Sequence, residues 1–196
     1  MNAVVLWPDT DKQAWIVDPG GDAAWIGNCL RRHGLQVALY VCTHGHIDHI
    51  SALDALLAVH PAPVWLHAED AKWAFSLLNR LPPHYPEAPH RPLSIQTAIT
   101  DGMMLAAGGL EAKVILTPGH TPGGICLYFA HEKLLLSGDT LFAGSVGRTD
   151  LAGGDRRTLK RSLAKLMTLP DDTQVIPGHA QSTTIGLERQ TNPHLR

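Results

Sequence analysis

The sequence predicts a layered α/β fold in which helices cover packed β-sheets. Short apolar runs, typical of strands buried on both faces, alternate with longer segments that are apolar at helical spacing. The order of strands, helix, strand and helix recurs in much the same form in the second half of the chain. With 196 residues, of which 44% are hydrophobic, the chain is long enough to bury a core in one large domain or two small ones.

Turn residues and helix caps divide the first half of the chain into its elements. Pro-Asp-Thr-Asp at 8–11 is turn chemistry between two strands, and Asp22 is suited to cap a helix that Gly34 ends. Pro61 ends a later helix in the same half. The predicted strands are 4–7, 14–17, 37–42 and 64–67, and the predicted helices are 22–33, 50–59 and 69–81.

The second half of the chain is predicted to be richer in strands. It is preceded by segment 82–92, rich in proline and histidine, which we expect to be a loop and a possible lid. Asp155 can cap a helix that runs through Met167 with its leucines inward and its basic residues on a solvated face. The predicted strands are 110–116, 125–129, 134–136 and 174–176.

Composition and charge argue against several classes of function. The net charge of −2 and the pI near 6.6 give no general attraction to nucleic acid or to an anionic membrane. No apolar run approaches the roughly 18 residues of a membrane helix, and the N-terminus has no basic region typical of a signal peptide. The odd number of cysteines, three, forms no disulfide framework. We therefore expect a reduced, cytoplasmic protein without nucleic-acid or membrane partners.

Residues 43–49, THGHIDH, place three histidines and a carboxylate where a predicted strand ends and a helix begins. In an extended segment, residues two apart point to the same side, so His44 and His46 could hold one ion. After the chain turns, Asp48 and His49 could face a second point nearby. Burying these groups without a partner would be costly, so the run predicts a metal site. Imidazole and carboxylate ligands suit zinc, iron or manganese.

Three later residues share one context, in which a strand ends, the chain turns tightly, and a residue able to bind metal follows. His120 lies in TPGHTPG, Asp139 in SGDT, and His179 in IPGH. Glycine and proline form tight loops that can bring these side chains towards a shared centre. Each segment alone could be an ordinary turn or a helix cap, but the shared context indicates a common site.

Together these residues resemble, one by one, the signature of the metallo-β-lactamase superfamily, and the resemblance covers nearly the whole chain. It implies an αββα sandwich of four layers, in which two mixed β-sheets are flanked by helices and the metals lie at one edge. It also implies two divalent metal ions, zinc first, with iron or manganese as alternatives. The implied ligands are His44, His46 and His120 for one ion, Asp48, His49 and His179 for the other, and Asp139 as the bridge.

Within the superfamily, the chain is most similar to the short bacterial hydroxyacylglutathione hydrolases that resemble glyoxalase II. The similarity rests on the stretch GDTLFAGSVGRTD at 138–150 and on TTIGLER at 183–189. Antibiotic-degrading members usually carry cysteine or serine in place of Asp139 and are exported. Only 17 residues follow His179, so we expect a single domain over 1–196 without the C-terminal helical domain of glyoxalase II.

The resemblance implies hydrolysis of a thioester such as S-lactoylglutathione, to D-lactate and glutathione, by a hydroxide that bridges the two metals. Asp48 is the predicted catalytic residue, which orients the hydroxide and takes its proton besides binding metal. By the resemblance, Arg148 occupies the position of a cationic glutathione contact, where a guanidinium suits a carboxylate, the alternative being an ordinary surface arginine. Asp18 is predicted to support a metal ligand from behind, the alternative being that it only forms a turn.

Three other functions are compatible with these residues. A persulfide dioxygenase of the same superfamily uses a single iron, bound by two histidines and one aspartate, and shares much of the Gly-Arg-Thr-Asp stretch that ends at Asp150. A lactonase would open a cyclic ester with the same metals. A non-catalytic metal-binding module is the third, and the complete ligand set argues against it. The oligomeric state is not predicted.

Overall fold

The structure, a computed structural model, describes residues 1–195. They fall into two compact units, the first formed mainly by 3–99 and 106–111, and the second mainly by 100–105 and the residues from 112 on. The strands are β1 Val4–Leu6, β2 Gln13–Val17, β3 Gln36–Val41, β4 Val64–Trp65, β5 Met104–Ala107, β6 Leu110–Leu116, β7 Ile125–Phe129, β8 Leu134–Gly138, β9 Leu141–Phe142, β10 Ser145–Val146, β11 Gln174–Pro177 and β12 Thr183–Thr184. The helices are α1 Ala23–His33, α2 Ile47–Ile50, α3 Leu53–Val59, α4 Ala68–Ala71, α5 Arg156–Leu166 and α6 Ile185–Thr191, followed by a 3-10 turn at Pro193–Leu195.

A four-stranded mixed sheet, in the order β1-β2-β3-β4, forms the centre of the first unit. β1 is antiparallel to β2, whereas β2, β3 and β4 are parallel to one another. The carboxyl ends of these three strands therefore meet at one edge, where sites in α/β sheets usually form. The register pairs Val17 with Val41, so the segments that follow β2 and β3 begin side by side.

The helices of the first unit follow the caps that the sequence predicts. The Asp22 carboxylate accepts the backbone N–H of Trp25 at 3.0 Å, and Gly34 ends α1 in the left-handed conformation with φ of 65°. Leu30 of α1 and Leu53 of α3 are buried together with Ile16 of the sheet. Burial of each such side chain contributes about 1.5–3 kcal/mol, which fixes these helices against the sheet.

A six-stranded mixed sheet runs in the order β12-β11-β8-β7-β6-β5. β7 is antiparallel to both of its neighbours, β6 and β8, and β8 is parallel to β11. Consequently β6, β8 and β11 run in the same direction, and the loops that follow them emerge at one edge. Helix α5 begins at the predicted cap, where Asp155 accepts the N–H of Thr158 at 2.6 Å.

The core of the second unit confirms the inward face predicted for α5. Leu159, Leu163 and Leu166 are buried against Leu135 and Val175 of the sheet. The basic residues of α5 lie on its exposed face, as the spacing predicts: Arg156, Arg157, Lys160, Arg161 and Lys165.

Several elements differ from the sequence-based expectations. The helix predicted over 69–81 is wrong, since only Ala68–Ala71 is helical and the chain then continues in turns. Leu77 and Leu78 are 82% and 87% exposed, so the helical spacing of apolar residues here marks no buried face. The helix predicted over 50–59 is two short helices, α2 and α3. No pattern in the sequence indicated β5, the β9–β10 hairpin, β12 or α6.

Among the residues that the structure describes, no helix combines the length and the apolar character that crossing a membrane requires.

Candidate metal centre

Asp18 lies directly after β2, and its carboxylate is the centre of a buried network. One oxygen accepts the backbone N–H of Thr43 at 2.7 Å, and the other accepts the Thr43 hydroxyl at 2.7 Å. The second oxygen also lies 3.0 Å from Nδ1 of His49. Asp18 is only 3% exposed, and the parallel pairing of β2 and β3 explains why it meets a segment 25 residues away. The contact that orients His49 from behind is therefore present, with Nε2 as the ring atom left for a metal.

The histidines of the THGHIDH run lie against one another. The rings of His44 and His46 meet edge-on with centroids 4.9 Å apart, and the rings of His44 and His49 are 4.0 Å apart. Thr43 Oγ1 lies 3.1 Å from Nδ1 of His44, which leaves Nε2 as the ligand candidate of that ring as well. The four-residue helix α2 begins directly after His46, as the change from strand to helix predicts.

Two buried polar side chains that sequence reasoning missed hold the backbone of this run. The Asp70 carboxylate accepts the N–H of Gly45 at 2.9 Å. The Asn79 side chain donates to Gly45 O at 2.8 Å and accepts the N–H of Ile47 at 3.2 Å. A Cβ on Gly45 would lie 3.0 Å from Ala74 Cβ, so the loop packs closely here. Since these contacts span 25 and 34 residues, no local pattern in the sequence could have indicated them.

The Asp48 side chain lies beside His49, with an oxygen 3.7 Å from His49 Nε2. The backbone of Asp48 rests on Gly20, because a Cβ on Gly20 would lie 1.4 Å from the Asp48 carbonyl oxygen. Tyr85, in the predicted loop 82–92, donates its hydroxyl to Gly20 O at 3.1 Å. Burial and then the negative charge of Asp48 raise the pKa of Tyr85, so its phenol stays protonated near neutral pH.

The second unit brings His120, Asp139 and His179 together at one sheet edge. They follow β6, β8 and β11, the three strands that share a direction. One Asp139 oxygen lies 3.5 Å from Nε2 of His120 and 3.7 Å from Nε2 of His179. Nδ1 of His120 contacts the Arg148 carbonyl at 2.8 Å, which directs Nε2 towards Asp139. This carboxylate oxygen is therefore close enough to share a metal ion with either imidazole.

The Arg148 side chain is engaged with Asp150. Its Nε and Nη2 donate to the two oxygens of that carboxylate, each at 2.7 Å. The hydrogen bond from Arg148 holds the pKa of Asp150 at about 2, so Asp150 stays ionised over the working range of pH. The Arg148 side chain is 61% exposed, and it remains accessible to an anionic group from solution.

The donor set fits divalent metal ions. Among the described residues, histidine and aspartate side chains supply groups of three that could hold a metal ion. Each of the seven residues predicted as ligands belongs to at least one group: His44, His46, Asp48, His49, His120, Asp139 and His179. Nitrogen and carboxylate donors of this kind suit zinc, iron or manganese rather than calcium.

Comparison with known proteins identifies the family. A family model described as "Metallo-beta-lactamase superfamily" matches residues 2–179. The chain is 35% identical over 204 residues to the hydroxyacylglutathione hydrolase GloC of Haemophilus influenzae, covering 99% of this chain and 92% of the relative. It is 36% identical over 193 residues to the probable metallo-hydrolase YqgX of Bacillus subtilis, covering 95% of this chain and 89% of that protein.

Solved structures agree with these relatives in fold. The crystal structure of the BLEG-1 B3 metallo-beta-lactamase matches with a TM-score of 0.91 and 41% identity, covering 99% of this chain and 93% of that one. The crystal structure of TTHA1623 in a di-iron-bound form matches with a TM-score of 0.88 and 34% identity, covering 98% and 93%. The chain therefore belongs to the metallo-β-lactamase superfamily, has its α/β fold of mixed sheets flanked by helices, and is a metal-dependent hydrolase of that superfamily.

Proposed function

We propose that this superfamily member is a thioesterase that hydrolyses glutathione thioesters such as S-lactoylglutathione, to D-lactate and glutathione. The likeness to hydroxyacylglutathione hydrolase GloC, which extends over 99% of the chain, carries this proposal. We propose that residues 1–196 form the one domain that binds this small substrate. The free cysteines Cys29, Cys42 and Cys126 are compatible with a reducing, cytoplasmic location, which we propose as well.

We propose two metal ions with the ligands implied by the superfamily signature. The position of one Asp139 oxygen between His120 and His179 supports a bridge, and the di-iron form of TTHA1623 is a precedent for two ions in a relative. When bound, such ions supply a hydroxide near neutral pH and polarise the thioester carbonyl. The proposed ligands are His44, His46 and His120 for the first ion, Asp48, His49 and His179 for the second, and Asp139 for both.

The chain's own residues would then have separate tasks. Asp48 would orient the nucleophile and accept its proton, in addition to binding metal. Asp18 would keep His49 in the orientation that its buried contact imposes. Arg148 would bind a carboxylate of the glutathione part, for which its exposed, planar guanidinium is suited once it exchanges partners with Asp150. Little acid catalysis is needed, because a thiolate is a good leaving group.

Substitution of His46 by alanine tests the proposal. We expect His46→Ala to lose metal and S-lactoylglutathione hydrolysis together, measured by elemental analysis and by release of free thiol. His131→Ala is the matched control, because His131 is exposed and outside the proposed ligand set. Unchanged turnover in His46→Ala would contradict the assignment, and oxygen uptake with glutathione persulfide by a protein with one iron would replace it with a dioxygenase.

A second candidate is β-lactam hydrolysis. It is favoured by the 41% identity to the BLEG-1 B3 metallo-beta-lactamase over nearly the full chain. The carboxylate at Asp139 is the sequence feature that argues against it. A panel of thioesters, lactones and β-lactams, assayed with one metal-loaded preparation, would separate these activities by their relative kcat/KM.

A further inference from the structure

A buried carboxylate outside the proposed ligand set lies in helix α6. Glu188 is 1% exposed, and two of its partners, Thr183 and Asn192, are also buried. One oxygen accepts the hydroxyl of Thr183 at 2.6 Å, and the other accepts the side-chain amide of Asn192 at 2.7 Å and the N–H of Gly144 at 2.9 Å. All three donors are neutral. A carboxylate is costly to bury, so this arrangement indicates a role that an apolar side chain would not fulfil.

These contacts clamp the turn of the 141–146 hairpin, formed by β9 and β10. Gly144, with φ of 67°, lies in that turn, and its N–H points to Glu188. The side chain of Asn192 also donates to Ser145 O at 3.0 Å. Each strand of the hairpin is two residues long, which is too short to be stable alone. The hairpin therefore depends on α6 for its position.

The hairpin in turn joins groups of the proposed site. A Cβ on Gly147 would lie 1.9 Å from Asp139 O, so the two ends of the hairpin are in close contact. The next residue is Arg148. Its backbone carbonyl contacts His120, and its side chain is the one proposed to bind glutathione. The ring of Phe142 meets that of His179 edge-on, with centroids 6.4 Å apart. Movement of the hairpin would displace Arg148 and Phe142 first.

We propose that Glu188 is a positioning residue for substrate binding: its buried carboxylate holds the 141–146 hairpin so that Arg148 and Phe142 face the substrate. This inference rests on the proposed function in that Arg148 binds the glutathione part. It gives the motif TTIGLER at 183–189 a physical task, since Thr183 and Glu188 are two of its residues. The metal ligand Asp139 is held separately, because the neighbouring Thr140 hydroxyl donates to Thr117 at 3.0 Å.

Kinetics of two Glu188 variants provide the first test. Glu188→Ala removes the acceptor for Gly144 and Asn192, and we expect KM for S-lactoylglutathione to rise about tenfold, the equivalent of one lost hydrogen bond to a charged group. We expect kcat to stay within about threefold and the metal content to be unchanged, because Glu188 binds Thr183, Asn192 and Gly144, none of which is a proposed metal ligand. Glu188→Gln should restore KM to within about twofold, since its carbonyl accepts both N–H groups while its amide donates to the Thr183 hydroxyl.

Hydrogen exchange of the folded protein provides a test that does not need the activity. In Glu188→Ala, exchange of the amides in 141–146 should accelerate at least about tenfold relative to wild type, with the strands β7 and β8 unchanged. Arg189→Ala is the matched control on the same helix, because Arg189 contacts Asp171, Met167 and Leu169 and not the hairpin. Should Glu188→Ala fail to fold, Asn192→Ala removes the contact with Ser145 and should change KM and exchange in the same direction.

The outcomes separate this inference from the proposed function. Wild-type protein without thioesterase activity refutes the proposed function, and the exchange rates alone then decide whether Glu188 clamps the hairpin. If Glu188→Ala folds and the amides of the 141–146 hairpin exchange as in wild type, Glu188 does not hold the hairpin, whatever the substrate is. Loss of metal in that variant, or faster exchange without a change in KM, overturns the assignment to substrate positioning.

Discussion

The contact between Asp18 and His49 predicts that replacing one buried carboxylate oxygen of Asp18 weakens metal binding. In Asp18→Asn, the amide oxygen can still accept the N–H of Thr43, while the amide nitrogen replaces the oxygen that lies 3.0 Å from His49 Nδ1. Because this nitrogen is a donor, the ring is driven to the tautomer with its proton on Nε2, the atom proposed to bind metal. Asparagine also tolerates the left-handed backbone of residue 18, where φ is 52°, so the substitution adds little strain.

The size of the effect follows from the buried hydrogen bond. A hydrogen bond to a charged group is worth about 1.5–3 kcal/mol, which corresponds to roughly 10- to 150-fold in a binding constant. We therefore expect Asp18→Asn to weaken binding of the ion proposed to be held by Asp48, His49 and His179 by about 10- to 100-fold, the range typical of groups that support metal ligands. The other proposed ion should be affected less, because Asp18 reaches His44 through the Thr43 hydroxyl, which can accept the amide N–H of the variant and still contact the His44 ring.

Stepwise competition with a chromogenic chelator at pH 7 would measure the two binding constants separately. Asp22→Asn is the matched control, because it makes the same chemical change four residues later, at an exposed helix cap that also has a positive φ. Circular dichroism would establish that both variants are folded. The reasoning is refuted if folded Asp18→Asn binds both ions with wild-type affinity, or if Asp22→Asn weakens them equally.

Four further predictions concern other residues of the structure. Asn79→Ala leaves the carbonyl of Gly45 and its neighbouring backbone without partners, and urea denaturation should show a free energy of unfolding lower by about 1–3 kcal/mol. Under native conditions an alkylating reagent should modify Cys29 well before Cys42, because burial and then the charge of Asp18 raise the pKa of the Cys42 thiol, and intact-mass analysis would count the adducts. Arg148→Ala should raise KM for S-lactoylglutathione about five- to tenfold with little change in kcat. Asp150→Asn should lower KM, because it removes an ionised competitor for the guanidinium, and an increase in KM would show instead that Asp150 holds Arg148 in place.

The direction of the strands explains how much of the site could be predicted. His120, Asp139 and His179 each follow an apolar run, and in the sheet these three runs point in the same direction. The pattern of residues after strand ends was therefore sufficient to predict that the three side chains lie at one edge. Asp18 follows the same rule in the other sheet, through the parallel pairing of β2 and β3. Ligation of metal by these residues stays a prediction.

The supporting residues other than Asp18 could not be predicted, because their partners are distant in the sequence and no strand end marks their positions. Asp70 and Asn79 bind backbone groups 25 and 34 residues away, and Glu188 binds one 44 residues away. Apolar spacing around Trp73 indicated a helix that does not form. The spacing of apolar residues carries no information about the hydrogen bond by which the Asn79 side chain is held at Gly45. Helix α6, with seven residues, is too short for periodicity to reveal.

The residues proposed to bind metal and those proposed to contact the substrate therefore lie on different parts of the site. The proposed metal ligands lie on loops that directly follow sheet strands, and their supports, such as Asp18, are buried and polar. The groups proposed to contact the substrate lie on or beside the short 141–146 hairpin, which depends on Glu188 for its position. A change in the hairpin or in its clamp can alter the substrate while the metal ligands stay in place. We therefore expect substitutions in the hairpin to change the relative kcat/KM for different substrates while the metal content stays unchanged.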